Sequence, residues 1–129
     1  DARFIPGAEE DMILTIKSLA GPGIDFETIS RKPATAAPFE GAAVDAIRRA
    51  VDAEDPGAVV LPYLNSAGTD AKGFAVLPDG RRINYYGCTP LRLPADFDFI
   101  NLFHGVDERV PVGSLVFGAK VVDHILQEA

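Results

Sequence analysis

The segment EGAAVDAIRRAVDAEDPGAVVLP, Glu40–Pro62, changes its hydrophobic period partway along. Ala43, Val44, Ile47 and Val51 recur at helical spacing, while Asp45, Arg48, Arg49 and Asp52 fall on the opposite face. Asp55-Pro56-Gly57 stops that helix, and Ala58-Val59-Val60-Leu61-Pro62 follows as a short apolar run of strand type. A helix feeding directly into a buried-looking strand is the unit of a layered α/β domain.

Toward the C-terminus the alternation continues. Asn65-Ser66-Ala67-Gly68-Thr69-Asp70 is a polar loop, Lys72 to Leu77 a short helix or turn, and Pro78-Asp79-Gly80 a tight turn. Arg82 to Tyr86 reads as another strand, and Thr89 to Asp98 is irregular. Phe99-Ile100-Asn101-Leu102-Phe103 is apolar and runs into His104-Gly105-Val106-Asp107-Glu108-Arg109. A last helix covers Gly113 to Gln127, with Leu115, Val116, Ala119, Val122, Ile125 and Leu126 as its stripe. Toward the N-terminus, residues 32–39 form a Pro-, Ala- and Thr-rich connector. Before it stand an expected strand at Ile24 to Ser30, a helix from Glu9 to Leu19 with Met12, Ile13, Ile16 and Leu19 on one face, and an extended Ala2–Ile5. The expected domains are therefore residues 1–31 as a strand-helix-strand unit, 32–39 as linker and 40–129 as α/β.

Composition narrows the functional classes. The 129 residues suit a single globular domain of ordinary hydrophobic and charged content. The formal net charge of −7 argues against nucleic acid as a partner, and Arg48-Arg49 and Arg81-Arg82 read as solvated surface pairs. No apolar run approaches the roughly 20 residues of a membrane span, and the sequence shows no basic stretch followed by an apolar run and a small-residue cleavage site. The single cysteine, Cys88, forms no internal disulfide and favours a reducing compartment, so a cytoplasmic location is expected.

Two loops carry reactive groups immediately after apolar runs, where α/β sheets bind ligands. In the first, Gly68 allows close backbone approach, and Thr69 and Asp70 offer a hydroxyl and a carboxylate; the same pair is also a common helix N-cap. In the second, His104 has the chemistry of a metal ligand or general base, and equally of a loop histidine held by a neighbour. His124, on the polar side of the last helix, is given no role. Zinc requires at least three protein ligands, and no HxxxH or CxxC occurs, so the residues contribute to a metal site without containing one.

Taken together, Asp1-Ala2-Arg3-Phe4-Ile5-Pro6-Gly7, Gly68-Thr69-Asp70-Ala71-Lys72 and His104-Gly105-Val106-Asp107-Glu108-Arg109-Val110-Pro111 resemble, in order, motifs of a di-zinc hydrolase family. That family includes acetylornithine deacetylase, succinyl-diaminopimelate desuccinylase, aminoacylase and glutamate carboxypeptidase. The resemblance implies a zinc-peptidase-like layered α/β catalytic domain, represented here by its C-terminal part. It implies before that the second half of an α+β, ferredoxin-like lid or dimerisation domain, through which the parent forms a homodimer. Family members are several times longer, and their catalytic Glu and other metal ligands lie upstream, so this chain is expected to be a fragment, inactive alone.

By the same resemblance His104 matches the last zinc ligand, and Asp107 and Glu108 match an acidic pair that supports it. Gly68 and Thr69 match a loop near the substrate carboxylate, and Arg3 a lid arginine that pairs with that carboxylate. In the family two zinc ions activate a bridging water that attacks the amide of an N-acyl amino acid or small peptide. Ala67 and Lys72 depart from the family, which often has Gly and Arg there; Lys lacks a bidentate fork. The alternative is a non-catalytic binding or oligomerisation module that shares these elements.

Overall fold

The computed structural model describes residues 2–128. Two compact units divide the chain, Asp1–Pro38 with Tyr63–Tyr85 and Phe39–Pro62 with Tyr86–Ala129. The division at Pro38 lies within the proline-rich connector, and residues 63–85 group with the first unit.

In the second unit, α2 (Ala42–Glu54) packs on α4 (Val112–Gln127), and the short α3 (Phe99–Leu102) precedes α4. The core is small: Val44, Ala46, Ala50 and Val121 are buried together with Ser114 and Gly118. Ser114, Gly118 and Val121 fall at i, i+4 and i+7, one helical face. On α4 the small residues Ser114 and Gly118 let the 90–92 segment approach the helix closely.

The buried face of α4 is not the expected stripe. Leu115, Val116, Val122 and Leu126 are exposed. The helix is apolar around most of its circumference, so hydrophobicity alone could not choose between neighbouring faces, and the small residues do. Gly118 makes the choice visible: a Cβ there would stand 2.5 Å from the Pro90 carbonyl oxygen. The buried Ser114 hydroxyl donates to the Arg92 carbonyl at 2.5 Å, which ties the same 90–92 segment to α4.

Polar contacts join the C-terminal ends of α2 and α4. The Glu54 carboxylate takes Lys120 Nζ on one oxygen at 3.1 Å and His124 Nε2 on the other at 3.2 Å. Arg49 bonds Glu128 through Nε at 2.9 Å. Lys120 and His124 stand one helical turn apart on α4, so both reach the same carboxylate.

The first unit is held more loosely. In α1 (Glu9–Ala20) the acidic first turn and Lys17 in the last turn complement the helix dipole. No residue of α1 is buried; Met12 and Ile13 are half-buried, and Leu19 at the far end is 83% exposed. The Glu9 carboxylate accepts the Ala34 N–H at 2.9 Å and Glu10 pairs with Arg31, which fastens the connector to the start of α1. A tight turn at Pro78-Asp79-Gly80 closes a minimal hairpin: Leu77 N–H donates to the Arg81 carbonyl at 2.8 Å, Ile83 N–H to the Ala75 carbonyl at 3.0 Å, and Val76 bridges Arg82.

This architecture corrects the α/β expectation. Among the described residues the chain is mostly helical, with no β-sheet and that single antiparallel bridge. It is therefore neither a layered α/β catalytic domain nor half of a ferredoxin-like lid. The runs at Ala2–Ile5, Ile24–Ser30, Ala58–Pro62 and Arg82–Tyr86 are not strands. Alternation and β-branched content dictate extended backbone, but a strand exists only when a neighbour supplies the facing N–H and C=O groups. No neighbour does so for Ala58–Pro62, where Val59 and Leu61 are 78% and 73% exposed. Among the described residues no helix is long and apolar enough to cross a membrane.

Candidate functional site

The His104 loop is built by α3. The Asp98 carboxylate caps that helix, accepting the Asn101 N–H at 3.4 Å and the Asn101 side-chain amide at 2.9 and 3.1 Å. The helix closes with Phe103 N–H on the Phe99 carbonyl and Gly105 N–H on the Leu102 carbonyl, each at 2.9 Å. A Cβ at Gly105 would lie 2.6 Å from the Asn101 carbonyl oxygen, so the turn admits only glycine there without opening.

Between these closures His104 adopts φ 58°, and Asp107 adopts φ 61°. A left-handed conformation costs a non-glycine residue about 1–2 kcal/mol, although His and Asp are enriched among those that use it. The imidazole stacks on the Phe103 ring, with centroids 4.4 Å apart and planes at 15°. His104 is exposed, as are Asp107 and Glu108. Neither carboxylate hydrogen-bonds the imidazole; Arg109 instead donates to the Asp107 carbonyl at 3.1 Å.

The loop can therefore present one rigidly oriented imidazole to solvent. Zinc needs three or more protein ligands. Among the described residues no group of three His, Cys, Asp or Glu side chains is placed to hold a metal. The residues present do not by themselves fit a zinc ion.

The other expected site residues belong to the first unit. Thr69 is the N-cap of a 3-10 turn at Asp70–Phe74, its hydroxyl accepting the Ala71 N–H at 3.3 Å. Just before it, Asn65 Oδ1 accepts the Ala67 N–H at 2.8 Å. The capping role is thus realised, and Thr69 remains exposed. Gly68 is exposed, its φ is not left-handed, and a Cβ there would meet nothing within 4 Å. Among the described residues nothing requires glycine at this position. Arg3 is exposed.

Two arrangements escaped the residue-by-residue reading. His124, given no role, is part of the Glu54 cluster; the available signal was its i,i+4 spacing from Lys120. Lys120 first, and His124 after it, hold the Glu54 carboxyl below the usual glutamate range. Arg81 and Arg82 are both exposed, as expected of a surface pair, but their surroundings differ. Arg81 bonds Asp79 at 2.7 Å, while Arg82 lines a small pocket with Asn84, Tyr85 and Thr35.

On the second unit an apolar groove of about 480 Å³ runs along α4, between Leu115, Ala119, Val122 and Leu126 on one side and Pro90 and Leu91 on the other. Compared with family models, with curated proteins and with solved structures, the chain matches none.

Proposed function

We propose that this chain supplies part of the active site of a zinc-dependent amidohydrolase acting on N-acyl amino acids or small peptides. His104 is one metal ligand, and Arg3, Gly68 and Thr69 are contacts to the substrate. Three motifs in family order support this reading, and one observation carries it: an exposed imidazole held in a left-handed conformation and stacked on Phe103. Costly backbone geometry at an exposed polar residue is characteristic of functional loops. Because one imidazole makes a weak zinc site, the remaining ligands belong to residues outside this sequence, and the 129-residue chain alone hydrolyses nothing.

Zinc bound there would polarise an amide carbonyl and activate water. The chain's own parts in that chemistry are positional. His104 offers a ring nitrogen at a fixed orientation. Arg3 offers a guanidinium fork to a free substrate carboxylate.

The test compares two samples for release of free amine from N-acetylated amino acids in zinc-containing buffer. One is this chain; the other is the product of the complete reading frame that encodes it. The proposal expects turnover only in the second, abolished there by His104→Ala. Turnover by the chain alone, or full turnover of the His104→Ala product, would overturn it.

A non-catalytic oligomerisation module is the second reading, and the apolar groove along α4 favours it. That reading requires a mass that rises with concentration in sedimentation, and a monomer at all concentrations removes it.

A further inference from the structure

Arginines in this chain are almost all engaged. Arg31, Arg48, Arg49, Arg81 and Arg92 pair with carboxylates, and Arg109 with a backbone carbonyl. Among the described residues Arg82 has no hydrogen-bond or ion-pair partner, and the Asn84 side chain has none either. Both line a pocket of about 50 Å³ in the first unit, with Thr35, Tyr85, Ala36 and Ala75, and no acidic residue lines it.

At the hairpin Arg81 is turned back to Asp79, while the four consecutive residues Arg82, Ile83, Asn84 and Tyr85 all line the pocket. The Thr35 and Tyr85 hydroxyls bond each other. Such a pair consumes one of its two protons internally and leaves the other to donate outward.

The lining carries a cation and further donors, a guanidinium fork, a carboxamide and one free hydroxyl proton, and no carboxylate. A ligand that suits it is an acceptor, negative, and small. A cavity needs about 10–15 Å³ by this measure to hold one water, so the pocket has room for a small group such as a carboxylate. A planar carboxylate also matches the guanidinium fork in two parallel hydrogen bonds.

We propose that Arg82, Asn84 and the Thr35–Tyr85 hydroxyl pair form a binding pocket for the carboxylate end of a small molecule or peptide, whose remainder stays outside the mouth. The site involves no metal and does not depend on His104.

Acetate is the probe. The chain, labelled with nitrogen-15, is titrated with sodium acetate, with sodium chloride at matched ionic strength as control. Saturable shifts are expected at the Asn84 side-chain amide and the backbone amides of residues 82–85 with acetate only. Arg82→Gln weakens binding about tenfold or more, as befits loss of a charged hydrogen bond. Arg82→Lys, which keeps the charge and loses the fork, weakens it less. Tyr85→Phe weakens binding a few-fold, and serves if Arg82→Gln fails to fold. His104→Ala binds acetate like the wild type. Equal shifts with chloride, unchanged acetate binding in folded Arg82→Gln or Tyr85→Phe, or tighter binding of inorganic phosphate would each overturn the assignment.

Discussion

Replacing Gly118 by alanine puts the packing of the second unit to a sharp test, because two effects of known sign oppose each other. In the middle of a helix, alanine is favoured over glycine by about 1 kcal/mol. Against that, the new Cβ would sit 2.5 Å from the Pro90 carbonyl oxygen, closer than real Cβ contacts come. The obstacle is backbone rather than a flexible side-chain end, and the Ser114–Arg92 hydrogen bond holds the same segment in place. Overpacking of this kind costs about 1–3 kcal/mol, and the rigid obstacle argues for the upper end. The net expectation is a loss of about 1–2 kcal/mol, roughly 3–8 °C in Tm for a chain of this size. Gly113→Ala in the same helix is the control, since a Cβ there meets nothing within 4 Å; it should be neutral or gain up to about 1 kcal/mol. Urea and thermal unfolding followed by far-UV circular dichroism measure both variants. If Gly118→Ala is as stable as Gly113→Ala, the 90–92 segment does not lie against α4, and the description of that unit is wrong.

Other expectations concern the core, the charge cluster and the His104 loop. Val121 is fully buried, so Val121→Ala should cost about 2–3 kcal/mol in the same unfolding assay, and a cost below about 1 would contradict a tight α2–α4 contact. Glu54 has a lower carboxyl pKa folded than unfolded. Its contribution is complete above the ordinary glutamate value of about 4.3 and is lost as pH falls through the depressed folded value. Acid titration of stability should therefore be flatter in Glu54→Gln than in the wild type; superimposable acid limbs would refute the cluster. Asp107 carries a left-handed φ of 61°, so Asp107→Gly should be neutral or stabilising by up to about 1 kcal/mol. A clear loss of stability there would show that the carboxylate is engaged after all.

Where hydrophobic period and local punctuation coincide, sequence was enough. The expected helices at Glu9–Leu19, in the stretch from Glu40 and at Gly113–Gln127 match α1, α2 and α4 to within two residues at each end. Gly21 and Asp55 stand at the C-caps of α1 and α2. The Pro78-Asp79-Gly80 turn and the Thr69 cap were legible for the same reason: each is a local hydrogen-bonding preference that needs no distant partner. The strands were not, because pairing is a property of two segments and Ala58–Pro62 records only one of them. The face of α4 was illegible for a different reason. A helix apolar on several sides is oriented by the small residues Ser114 and Gly118, which a hydrophobicity count passes over.

The candidate site divides along the same line. His104 stands out by its neighbours in the chain, whereas its left-handed φ of 58° belongs to the folded turn. The Glu54 cluster and the Arg82 pocket each join groups far apart in sequence, which no local motif encodes.

Metal content of the product of the complete reading frame, measured by elemental analysis after exhaustive dialysis, bears most directly on the role given to His104. Two zinc ions per polypeptide in the wild type and about one in His104→Ala are predicted. Equal zinc in the two proteins, or none in either, would contradict the assignment of that imidazole as a metal ligand.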